Sequence, residues 1–134
     1  MCSSLIYMDN SNSQTLTANT ATTVSFGNTI RRFGCALSNS GGNVVTSQTG
    51  FYLCDIDLGI TTGAGSVTVQ VYKNDKLIPG TTRTITVADN DTSLAVTIPF
   101  VVRDKCGCDS TISCVVTSAV AGTIYDATIR VERV

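Results

Sequence analysis

Apolar and polar side chains alternate along this chain in short runs broken by Gly, Asn, Asp, Ser or Pro, and no long stretch repeats at helical spacing. Successive side chains of an extended strand point to opposite faces, so a period of two marks a strand half buried in a sheet. The clearest run is 50–60. Tyr52, Cys54, Ile56, Leu58 and Ile60 fall on one side, which predicts a core face; Phe51, Leu53, Asp55 and Asp57 fall on the other. In 92–103, Leu94, Val96, Ile98, Phe100 and Val102 alternate with Ser93, Ala95, Thr97, Pro99 and Val101. Pro99 lacks a backbone donor, which predicts an edge, a bulge or a kink. In 66–73 the face is Val67, Val69 and Val71. In 123–134, strict alternation puts Tyr125, Ala127, Ile129 and Val131 on one face and Ile124, Asp126, Thr128, Arg130 and Glu132 on the other.

Shorter strands are predicted at 5–8, 14–17, 22–26, 32–37, 43–46, 76–78, 83–87 and 111–118, with turn chemistry at 38–42, 61–65, 74–75 and 89–91. Roughly ten strands at this spacing predict an all-β antiparallel sandwich. Composition agrees: 21 Thr, 15 Val and 10 Ile are β-branched and favour strands. The 134 residues fit one domain. Residues 1–12 read as an N-terminal strand and docking segment, and 13–134 as the sandwich.

Several function classes are disfavoured. Without histidine, neither a Ser–His–Asp or Cys–His mechanism nor a His-ligated metal site can be built. Nine Lys and Arg against ten Asp and Glu leave no basic excess for nucleic acid. The longest apolar runs are a few residues, so no membrane insertion is expected. The first nine residues lack the basic and apolar regions of a signal peptide. The expectation is a chain used in the cytoplasm or leaving by another route, such as inside a virus particle. No cofactor is expected, and no constellation supports an enzyme.

Six cysteines remain to be placed. Cys35 and Cys54 sit in apolar strand-like runs and read as core thiols. Cys106, Cys108 and Cys114 form the one cluster. It reads as a turn with incidental thiols, with a disulfide from Cys114 to Cys106 or Cys108, or a metal site shared between copies, as alternatives. Asp55 and Asp57 also suggest glycosidase carboxylates or calcium ligands, and Arg31 and Arg32 a basic pair for phosphate or an acidic partner, although a solvated pair is commoner. Tyr7, Tyr72 and Tyr125 offer rings for sugar stacking, although core or interface roles are commoner.

The segment Thr49-Gly50-Phe51-Tyr52-Leu53-Cys54-Asp55-Ile56 resembles the central strand of jelly rolls of the tumour-necrosis-factor and complement-globular-head superfamily. Val71-Tyr72-Lys73-Asn74-Asp75-Lys76-Leu77-Ile78-Pro79-Gly80 resembles a hairpin of that fold, with Asp75 where glycine is usual. Ala127-Thr128-Ile129-Arg130-Val131 resembles its closing strand. The stretch 22–37 and the turn Cys106-Gly107-Cys108-Asp109 are similar to small phage or prophage virion proteins. The resemblance implies two stacked antiparallel sheets and a homotrimer.

Phe51 and Leu53, opposite a core face, would join Ile124 in an exposed apolar patch, and such patches often mark an interface. The expected trimer interface is Phe51, Leu53, Asp55, Asp57, Ile124 and Arg130, with Asp–Arg pairing between subunits. Outward contacts are expected from loops carrying Asn39, Ser40, Asn43, Asp89, Asn90 and Asp91. The chain thus reads as a trimeric phage virion component: a capsid decoration, a head fibre or a tail-fibre knob. Its partners would be itself, other virion proteins and a host-surface glycan. A bacterial surface or spore-coat binding module is the alternative.

Overall fold

In the computed structural model, which describes residues 3–90, 92–106 and 108–134, the run at 50–60 becomes β7 (Gly50–Thr62). Tyr52, Cys54, Ile56, Leu58 and Ile60 are all buried. β7 lies between β11 (Thr92–Asp104) and β13 (Gly122–Arg133), the two longest strands it could pair with. The first sheet continues through β1 (Leu5–Asn10) to β4 (Asn28–Phe33), and β2 (Gln14–Leu16) pairs with β13.

The second sheet runs β10 (Arg83–Val87), β8 (Gly65–Lys73), β12 (Ser110–Ser118), β6 (Asn43–Thr46), β5 (Leu37–Ser40). β3 (Ala21–Thr23) pairs with β12, and β9 (Lys76–Leu77) with β8. All pairings are antiparallel, and no helix occurs among the described residues. Among the described residues the strands number thirteen against roughly ten expected: each of the twelve runs above is present, and the one at 32–37 is divided between two strands. Val67, Val69, Val71, Ile112 and Val116 from the second sheet meet Ile56, Ile98, Ile129 and Met8 from the first in one core. Burying each such side chain contributes about 1.5–3 kcal/mol.

Pro99 lies on β11, the edge of its sheet. The Phe51 carbonyl accepts the Val134 N–H, and Lys73 Nζ donates to the Arg103 carbonyl at 2.6 Å. Phe51 and Arg103 are opposite each other, so Arg103 turns its backbone away from β7 toward the open edge. Pro99 has the same parity, and its missing N–H therefore falls on the open side, where no ladder bond is lost.

Three local expectations are corrected. The strand expected at 32–37 is split: β4 ends at Phe33 and β5 begins at Leu37. Gly34, at φ 84°, packs against the backbone of Ser3 and Ser4, and no side chain fits there. Cys35 consequently sits exposed in this turn, not in the core, and its sulfur accepts the Gln48 amide at 3.1 Å. Ile124, expected on the outward face, is fully buried. A bulge between Ile124 and Asp126 inserts one residue, so Ile124 and Ala127 both point inward while Tyr125 points out. Within the segment 1–12, read as an N-terminal strand and docking segment, residues 5–10 form β1, flanked by β13 and β4, with Ile6 and Met8 in the core.

Candidate functional site

The outward face of the first sheet carries most of the side chains singled out above. Cross-strand register arranges them in rows. Leu53 stands between Val101 on β11 and Glu132 on β13. Phe51 stands opposite Arg103, whose guanidinium lies 5.4 Å from the ring centroid. Phe51, Leu53 and Val101 are 52%, 46% and 54% exposed, an apolar cluster on two adjacent strands. Val101 was legible only as the neighbour of a core residue; pairing makes it part of the cluster.

In the next row Asp55 lies between Pro99 and Arg130, and Arg130 is followed by Tyr7 on β1. Arg130 Nη2 is ion-paired with Asp55 Oδ2 in the same chain. The Asp–Arg pairing expected between subunits is thus made within one. One row further, Thr97 Oγ1 donates to Asp57 Oδ1 at 2.8 Å, and Thr128 Oγ1 to Asp9 Oδ1 at 2.9 Å. Tyr7, Asp55, Asp57, Thr97, Thr128 and Arg130 line a shallow polar depression beside the apolar cluster.

Above it Tyr125 lies over Gly59, where an added Cβ would sit 2.5 Å from the ring. Asp126 has its carboxyl pKa raised, first by a hydrogen bond with the Asp9 carboxyl and then by burial. The face therefore combines an apolar end with an acidic end, where Arg130 is ion-paired with Asp55.

The loops chosen for outward contact are not one surface. Asn90 Oδ1 accepts the Ala64 N–H at 3.1 Å, which joins the turns at 61–65 and 89–90 at one end of the sandwich. The 39–43 segment is instead a hairpin of β5 and β6 at the opposite edge of the second sheet, turning at Gly41 and Gly42. Asn39 braces that turn: its Oδ1 accepts the Gly42 N–H at 3.0 Å and its Nδ2 donates to the Gly27 carbonyl. Ser40 ends β5, and Asn43, which begins β6, has a buried Oδ1 without a hydrogen-bond partner. Asp89 is exposed; Asp91 lies outside the described residues.

The cysteine cluster is divided by the core boundary. Cys114 is buried, and burial pushes its thiol up to about 12. Cys54 is buried and shifted upward for the same reason. Cys106 and Cys108 are exposed on the connection after β11. A hydrogen bond between their side chains lowers the Cys106 pKa and raises that of Cys108. Buried Asp104 holds this connection, accepting from Thr46 Oγ1 at 3.1 Å and from the Cys106 N–H at 3.3 Å. The structure does not bring Cys114 to the other two, and no group of three or more potential ligands gathers among the described residues.

No family model matches the sequence, and no curated protein does. Solved structures do match the fold. Murine APRIL at pH 5.0 has a TM-score of 0.72 and 15% identity, covering 98% of this chain and 99% of that one. The PRD1 vertex protein P5 has a TM-score of 0.65 and 12% identity, covering 98% and 96%. The Eiger TNF from S. frugiperda has a TM-score of 0.60 and 12% identity, covering 98% and 91%. The fold is a TNF-like jelly roll.

Proposed function

We propose that this chain is a structural component of a virus particle, assembled as a trimer through the outward face of its first sheet. The observation that carries the reading is the in-register exposure of Phe51, Leu53 and Val101 on β7 and β11. A contiguous apolar cluster on a sheet face is disfavoured in a monomer and is relieved by a closed cyclic assembly. The fold shared with the PRD1 vertex protein P5 and with TNF-like jelly rolls supports the virion and the trimer parts of the reading. The role is architectural: the sandwich supplies a rigid block, and covering its first sheet sets the symmetry. In a phage particle the end bearing 61–65 and 89–90 faces outward as a decoration or fibre knob, available to a host surface.

Sedimentation equilibrium tests the assembly. Wild-type protein is expected at three times the chain mass, and the pair Leu53→Asp with Val101→Asp at the chain mass with unchanged far-UV circular dichroism. Burying two carboxylates at an apolar contact costs several kcal/mol, about a hundredfold or more in association. A monomeric wild type, or a trimeric double variant, would refute the interface. Mass spectrometry of purified particles tests the virion placement.

A further inference from the structure

At the open edge of the first sheet, a groove of about 400 Å³ runs between β11 and the β8–β9 hairpin of the second sheet. Three cationic side chains line it, Lys73, Lys76 and Arg103, and no carboxylate does. That is a third of the nine cations in a chain of net charge −1. Leu77, Pro79 and Val101 supply an apolar lining, and Leu77 is 45% exposed. Two of the cations are held in place. Lys73 Nζ donates to the Arg103 carbonyl at 2.6 Å and keeps two further N–H donors, while Arg103 rests on the Phe51 ring. Cations positioned in advance lose less freedom when an anion binds.

We propose that this groove binds an extended acidic peptide segment with interspersed apolar side chains, supplied by a partner protein. Its walls are strands, so the trough follows an extended chain, and charge complementarity selects carboxylates. The apolar lining argues for peptide over an anionic glycan, which would leave Leu77 and Pro79 unmatched. The backbone edge of β11 is already blunted by Pro99 and by Lys73 on the Arg103 carbonyl, so recognition is through side chains, not strand addition. Val101 borders both the groove and the face proposed to be covered by copies, so binding is measured on protein of determined mass.

The probe is a fluorescein-labelled peptide of alternating Glu and Val, followed by fluorescence anisotropy. It is expected to bind wild-type protein, and to bind more weakly as salt rises from about 0.05 to about 0.5 M. Lys76→Glu is expected to weaken binding about tenfold and Leu77→Ser about fivefold. Arg31→Glu, at the opposite edge of the sheet, is expected to stay within about twofold. All three variants are expected to keep the wild-type mass, which separates this result from the assembly test. The proposal is overturned by no binding of the probe, or by wild-type affinity in both Lys76→Glu and Leu77→Ser. It is equally overturned if a Glu–Ser peptide binds as well as the Glu–Val one, or if a heparin-derived octasaccharide binds more tightly.

Discussion

Asp9 and Asp126 meet on the acidic end of the outward face, with Asp57 nearby, and hydrogen bonding between the two carboxyl groups raises the Asp126 pKa. The bond needs a proton, so the folded chain favours protonated Asp126 and its pKa is raised. The sign follows: this contribution is fully present below the ordinary value of 3.8 and is lost as pH rises through the raised one. Asp126→Asn supplies an N–H in place of the proton. It is expected to stabilise the fold at neutral pH by about 0.5 kcal/mol, since the site is solvent-screened. Urea denaturation at neutral and acid pH reads the difference; a gap that fails to close below the carboxylate range would rule the pair out. The cysteines make a related point. Hydropathy placed Cys54 correctly, but Cys35 lies in an equally apolar run and is exposed, because Gly34 turns the chain out of its strand.

Turn chemistry was readable in the hairpins. Asn74 and Asp75 have φ of 49° and 65°, the left-handed pair of a tight two-residue turn, and Gly41 and Gly42 make a second one. The Asn74 side chain anchors its turn by accepting the Thr111 N–H at 2.9 Å. Asp75 occupies a backbone region that glycine enters without steric cost. Asp75→Gly is therefore expected to raise stability by about 0.5–1 kcal/mol, seen as a higher melting temperature. A lower one would mean that the aspartate side chain holds the turn. Bulges were not readable. The 123–134 run alternates well enough to suggest one uninterrupted strand, and the shift at Tyr125 exists because Gly59, on another strand, leaves room for the ring.

The chain ends are joined in the molecule. Leu5 pairs with Glu132 and Asn10 with Ala127, so β1 closes the first sheet against the last strand. Ile6 and Met8 are fully buried, and their burial contributes about 3–6 kcal/mol together, against a total stability of about 5–15 kcal/mol. Removing residues 1–10 is expected to abolish cooperative thermal unfolding by circular dichroism. A truncated chain that still melts cooperatively would show this strand to be dispensable. Nearly every strand pairs with one distant in sequence, and such pairings are not encoded in any one segment. Which strands exist, and which side of β7, β8 and β11 is apolar, follow from side-chain alternation, a property of the backbone of each segment alone. The ion pair of Asp55 with Arg130, the division of the cysteines by the core, and the union of Lys73 and Lys76 with Arg103 join segments from different strands or different sheets. Those placements depend on register and sheet order, which are set by how all the faces pack at once.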